Sequence, residues 1–285
     1  MSTMPTPDER LAALLAFLRR RVTGDYEIDE FGFDPDLNGT VLLELLRPLY
    51  RQWFRVTTVG LENVPAHSGA LVVANHSGTL PMDALMLQVA LNDEAHRPIR
   101  LLGAHLVYQL PVLGHLARKS GHTLACPEDA DRLLRKGELV GVFPEGFKGV
   151  GKPFSERYRL QRFGRGGFAA SAIRAGVPIV PCAIVGAEEI YPKIGDVRAL
   201  ARLLGLPYLP ITPFFPWLGP LGLVPLPSKW MIEFGEPIRT DEYGPDEADD
   251  PMVILELTDQ VRETVQERLD ALRKRRGPAF PPFAR

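Results

Sequence analysis

The sequence is short of cysteine, of long apolar runs and of net charge, and each shortage removes a class of protein. Two cysteines in 285 residues, Cys126 and Cys182, supply neither a disulfide framework nor metal-ligand spacing. A reducing, cytoplasmic setting is the expectation. No stretch approaches about 18 uninterrupted apolar residues, which argues against a conventional transmembrane helix. The first residues, with Pro5, Asp8 and Glu9, lack the charged-then-apolar order of a signal peptide. A formal net charge of −2 gives no whole-chain case for nucleic acid as a partner. Internal repeats and low-complexity tracts are also missing.

What remains is a folded chain with a sizeable core, 45% hydrophobic and 24% charged. Asp8 to Val22 reads as an amphipathic helix, with Leu11, Leu14, Leu15 and Leu18 on one face. Its run Arg19-Arg20-Arg21, and Arg273-Lys274-Arg275-Arg276 near the other end, read as solvated helix ends or as patches for anionic lipid. Gly24 to Leu37, acidic and punctuated by Gly and Pro, reads as a linker, and a second helix is expected over about 40–53. From Arg55 short apolar strands alternate with helices. Strands are expected at 55–59, 70–75, 99–103, 139–143, 178–186 and 230–235. Helices are expected near 82–92, 105–119, 128–136, 166–175 and 196–204, and a long charged one over 252–276 closes the chain. That alternation predicts an α/β fold, a mixed β-sheet flanked by helices, with functional groups at the strand ends. The segment Leu206–Pro227 is dense in proline and almost without polar side chains, which forbids a helix or a central strand. It must fold over the core or lie against something apolar, such as a bilayer or an acyl chain.

The chemistry gathers at three blocks. The apolar run Leu71–Ala74 ends on Asn75-His76, and Pro81 then opens a helix carrying Asp83 in its first turn. A carboxylate that accepts from one imidazole nitrogen fixes the tautomer and leaves the other nitrogen free to take a proton. Alone, the pair also reads as a loop histidine and an ordinary first-turn acid. The second block is Phe143-Pro144-Glu145-Gly146-Phe147-Lys148, which sends Glu145 into a loop after a strand. The third is Val177-Pro178-Ile179-Val180-Pro181, a proline-opened apolar strand. Taken singly, each is as readily architectural as functional.

In this order and spacing, over roughly 57–237, the three blocks resemble the glycerolipid acyltransferase family. The resemblance implies an acyltransferase-like domain over 53–285; the amphipathic first helix and its arginines make 1–52 an N-terminal helical arm, a candidate for membrane contact. It implies transfer of a fatty acyl group from an acyl thioester, acyl-CoA or acyl-carrier protein, to a hydroxyl of a lysophospholipid or related glycerolipid. No metal or cofactor beyond that co-substrate is implied. His76 then corresponds to the general base and Asp83 to its orienting partner. Asn75, Glu145, Gly146, Lys148 and Pro178 correspond to substrate-binding positions. The expected location is cytoplasmic and peripheral to a membrane. A non-catalytic lipid-binding protein that keeps the fold is the alternative.

The departures concern the acceptor. Six residues, Ser77 to Met82, separate His76 from Asp83, where the family usually has four. The glycine-led stretch Gly121–Pro127 lacks the family's arginine, and Glu145-Gly146 is followed by Phe147-Lys148 instead of Thr-Arg. Lysine does not replace the bidentate guanidinium that clamps a phosphate. Either Lys148, Lys152, Arg157 or Arg159 holds a phosphate, or the acceptor is a neutral glycerolipid.

Overall fold

The computed structural model describes residues 6–203 and 205–280. Seven strands form one sheet in the order β1-β9-β6-β2-β5-β3-β4. They are β1 (Thr57–Val59), β2 (Ala70–Ala74), β3 (Ile99–Gly103), β4 (Thr123–Leu124), β5 (Leu139–Val142), β6 (Ile179–Val185) and β9 (Met231–Phe234). All six expected strands form. A small antiparallel pair, β7 (Gly195–Asp196) and β8 (Pro210–Ile211), stands apart. Every neighbouring pair in the main sheet is parallel except β6 with β9. The central strands β2 and β6 are buried at every residue, as continuous apolar runs in a sheet covered on both faces must be.

The helices are α1 (Pro7–Thr23), α2 (Pro35–Leu37), α3 (Leu43–Pro48), α4 (Met82–Asp93), α5 (His105–Gln109), α6 (Pro111–Lys119), α7 (Pro127–Arg135), α8 (Phe147–Val150), α9 (Gly167–Ala175), α10 (Arg198–Leu203) and α11 (Pro251–Arg276). Alternation along the strands decides which helices they meet. Val72, Ala74, Ile99 and Leu101 pack with α4, with Leu43 of α3 and with Tyr50. Leu71, Val73 and Val140 face the other way, toward α7, α9 and α11. Leu257, Val261, Val265, Leu269 and Leu272 form the buried stripe of α11, at the spacing of one helix face.

Three sequence expectations change. The helix expected over 105–119 is two, because Pro111 cannot donate to the preceding turn and holds Leu110 in an extended conformation. The acidic stretch 24–37 is a packed strap rather than a linker. Phe31, Phe33 and Asp34 are buried in it, and Asp29 pairs with the buried Arg100 at 2.7 Å. Two of the three arginines in the first run offered to lipid are spent internally. Arg21 makes two bonds to Asp34, at 2.6 and 2.7 Å, and Arg20 pairs with Asp36.

Among the described residues no helix is long and apolar enough to cross a membrane. Apolar surface is nonetheless exposed in two places. Leu11, Leu14, Leu15 and Leu18 face solvent on α1. In the proline-rich segment Thr212 and Gly222 are buried, while Trp217 and Leu221 are 72% and 71% exposed. That segment is thus anchored to the fold and open at its tip.

Candidate active site

Parallel pairing sends the C-terminal ends of β6, β2, β5, β3 and β4 to one edge of the sheet, the edge where open α/β sheets bind ligands. Asn75 fixes the end of β2. Its side-chain amide donates to the Ile184 carbonyl at 3.0 Å and accepts from the Ile184 N–H at 2.7 Å, clipping β2 to β6. Asn75 is fully buried and locks the strand end.

His76 follows, its side chain 14% exposed, and its Nδ1 lies 2.8 Å from Asp83 Oδ2. The same carboxylate oxygen accepts the Ser77 N–H at 2.8 Å, while Oδ1 accepts the Ala84 N–H at 2.8 Å. Asp83 is fully buried in the first turn of α4. An acceptor-only carboxylate requires the proton on Nδ1, which leaves Nε2 with its lone pair. Among the described residues Nε2 has no hydrogen-bond partner. The ring is held on its flat side by Phe143, with centroids 4.5 Å apart and planes at 30°.

The long gap between His76 and Asp83 is absorbed by a tight turn. Gly78 and Thr79 both adopt positive φ, at 96° and 65°. The Leu80 N–H then closes on the Gly78 carbonyl at 2.6 Å. Left-handed backbone costs little at glycine but is uncommon at threonine, so Thr79 must be held. Its hydroxyl donates to the Tyr191 carbonyl at 3.3 Å, and its carbonyl accepts from the Tyr208 hydroxyl. The two additional residues therefore leave the His–Asp bond intact.

Glu145 reaches the site, but not as expected. Oε1 accepts the backbone N–H of His76 at 2.9 Å, and Oε2 accepts the Gln161 N–H at 2.7 Å. Buried and doubly bonded to backbone, it braces the histidine. Gly149 allows this closeness, since a Cβ there would stand 2.6 Å from the His76 carbonyl oxygen. Gly146 and Lys148 lie exposed at the mouth of the same turn. Pro178 lies at the other end of β6 from His76. Its carbonyl accepts from Leu71, at the start of β2, and His76 lies five residues farther on. At about 3.3 Å per residue that is roughly 16 Å from the site edge.

Buried charges beyond the motifs complete the surroundings. Lys152, one of the phosphate candidates, points inward between Glu145 and Glu188. Burial pushes Glu188 up to about 7 against the pull of Lys152. His122 Nε2 donates to the Gln88 amide oxygen at 3.1 Å, and burial with the nearby Arg100 pushes it down to about 4. It is a core histidine. Among the described residues no group of three His, Cys, Asp or Glu is placed to hold a metal ion.

Residues 55–185, which carry this constellation, match the family described as Acyltransferase. The chain is 61% identical over 273 residues to an uncharacterized protein of Mycobacterium tuberculosis, covering 94% of this chain and 76% of that one. It belongs to the glycerolipid acyltransferases. It is also 31% identical over 192 residues to a chicken protein named DGAT1/2-independent enzyme synthesizing storage lipids, covering 67% of this chain and 54% of that one. The crystal structure of the 1-acyl-sn-glycerophosphate acyltransferase PlsC from Thermotoga maritima has the same fold. Its TM-score is 0.53 at 18% identity, over 92% of this chain and 97% of that one. In the acyltransferase described here, the motif residues His76, Asp83 and Glu145 meet at one strand edge. Gln161, Lys152, Glu188 and Tyr208, which join them, stand outside the three sequence blocks. The one sequence signal for Glu188 is an acidic pair, Glu188-Glu189, directly after an apolar strand.

Proposed function

We propose that the protein is an O-acyltransferase that moves a fatty acyl group from acyl-CoA or acyl-carrier protein to a glycerolipid hydroxyl. His76 serves as its general base. The observation that carries this reading is the His76–Asp83 bond, which leaves Nε2 as the free lone pair beside the strand edge. A direct bond of this kind favours turnover over a lipid-binding protein that merely keeps the fold.

In the proposed step Nε2 takes the proton of the acceptor hydroxyl as its oxygen attacks the thioester carbonyl carbon. The new C–O bond forms and a tetrahedral oxyanion results. Its collapse breaks the C–S bond, and the imidazolium returns the proton to the departing thiolate. Asp83 stabilises the imidazolium between the two transfers. Proton, acyl group and thiol are then all accounted for without an acyl-enzyme.

The acceptor we favour is a neutral glycerolipid such as mono- or diacylglycerol. Lys152 is turned inward, which removes one candidate phosphate ligand, and the Gly121–Pro127 stretch offers no arginine. A relative named for storage-lipid synthesis agrees with this choice. Purified protein with one labelled acyl-CoA, offered diacylglycerol, monoacylglycerol and lysophosphatidate in parallel, should esterify the neutral lipids at least tenfold faster. Faster use of lysophosphatidate would reverse the assignment of the acceptor.

We propose further that it works from the membrane surface without spanning it. The exposed faces of α1 and of the proline-rich tip are apolar areas that water penalises and an interface accepts, with Trp217 suited to headgroup depth. Changing Leu11, Leu15 and Leu18, or Trp217, Leu218 and Leu221, to Ser should shift the protein from sedimented vesicles to the supernatant. Unchanged sedimentation of both variants would contradict surface binding.

A further inference from the structure

Behind the histidine lies a buried set of charges that base catalysis does not by itself require. The Lys152 ammonium lies 3.4 Å from Glu145 Oε2 and 3.2 Å from Glu188 Oε1, and donates to the Arg159 carbonyl at 3.1 Å. The side chains of Lys152, Glu145 and Glu188 are 4%, 0% and 4% exposed. One cation therefore serves two carboxylates, out of reach of bulk water.

The neighbouring charges do not relieve it. Tyr158 gives its N–H to Glu188 at 3.0 Å and its hydroxyl to Glu189 at 2.7 Å. Glu189 is neutralised by Arg276, which bonds both of its oxygens. Lys193, on the wall of a cavity of about 10 Å³ shared with Lys152, Glu188, Gly78 and Thr79, is spent on the Gly151 carbonyl and Asp196. That cavity has room for one water, not for a lipid headgroup. Two close carboxylates in such a place cannot both ionise without a cation between them. Burial raises Glu188 to about 7, Lys152 pulls it back, and the Glu145 charge adds a smaller push upward.

The geometry points to Lys152 as a positioning residue for His76: its ammonium holds Glu145 by Oε2, so that Oε1 stays on the His76 backbone N–H. This inference rests on the general-base reading of His76. Without the ammonium, Glu145 and Glu188 share a proton to higher pH, and the N–H of His76 loses a charged acceptor. The imidazole hangs from that backbone, and a displacement near 1 Å of a catalytic group costs on the order of 10²-fold in rate.

Two variants of the full chain test it, Lys152→Met alone and Lys152→Met combined with Glu188→Gln. The first should lower kcat at neutral pH by roughly 10²-fold with KM little changed, and should displace the rise of kcat with pH to the alkaline side. Removing the second carboxylate should return the rise toward the wild-type position, because Glu145 is then alone with its two N–H donors. A readout independent of turnover is the amide proton resonance of His76. It should move upfield in the single variant at pH 7, move back as pH rises, and be restored in the double variant. A lysine that merely fills space would lower thermal stability without moving either titration.

A wild-type pH profile and amide shift in the single variant would overturn the inference. So would a folded double variant in which both remain displaced. Should the single variant fail to fold, the double variant decides, since it leaves one buried carboxylate where the single variant leaves two. His76→Ala run beside them separates the two claims. If that variant is inactive while Lys152→Met keeps both titrations, only the positioning role falls. If it keeps full activity, the base assignment itself falls.

Discussion

Asp83→Asn should lower kcat by roughly 10³–10⁴-fold while KM changes little. The size follows from what the carboxylate does in three directions at once. Oδ2 accepts from both His76 Nδ1 and the Ser77 N–H, and Oδ1 accepts from the Ala84 N–H. An amide supplies one acceptor and one donor. With its oxygen toward His76, its NH₂ faces the Ala84 N–H. Turned over, its NH₂ opposes Ser77 and forces Nδ1 to accept, which places the imidazole proton on Nε2. That nitrogen then has no lone pair for the acceptor hydroxyl. In either orientation the negative charge that stabilises the imidazolium is gone. Steady-state kinetics on a variant with native near-UV circular dichroism checks this. A kcat within threefold of wild type would mean that Asp83 is only a helix-terminal acid.

The His–Asp pair was legible in the sequence because it is local. A strand end and the first turn of the next helix lie within eight residues, and the turn between them can absorb two more through Gly78 and Thr79. The role of Glu145 was not legible, since nothing in Phe-Pro-Glu-Gly says that β5 pairs beside β2. Only that pairing brings Oε1 to the His76 N–H. The distance of Pro178 from His76 was hidden for a related reason. Its block marks β6 correctly, but the parallel register with β2 decides which end of the strand faces the site. The strap over 24–37 was hidden by its own acids. Asp29 and Asp34 look like solvated loop residues until Arg100, Arg21 and Lys119 are seen to face them. Two-residue strands such as β4, β7 and β8 are too short for any periodicity to reveal. Lys152 shows the limit most sharply. As sequence it is one more cation in a glycine-rich loop suited to phosphate, and only burial turns it toward Glu145 and Glu188.

His76→Ala should remove the proton acceptor itself, with an expected loss of about 10²–10⁴-fold in kcat. The remainder reflects substrates still held together in the site, a contribution that the imidazole does not make. Because Asn75 keeps its side-chain bonds to Ile184 and the Ser77 N–H keeps Asp83, the variant should fold and bind lipid vesicles as the wild type does. Transfer of a labelled acyl group from thioester to the preferred glycerolipid, by wild type and His76→Ala at equal vesicle occupancy, measures the base most directly. The expected result is ester product with the wild type and at most about one hundredth of that rate with the variant. Equal rates for the two proteins would contradict general-base catalysis by His76.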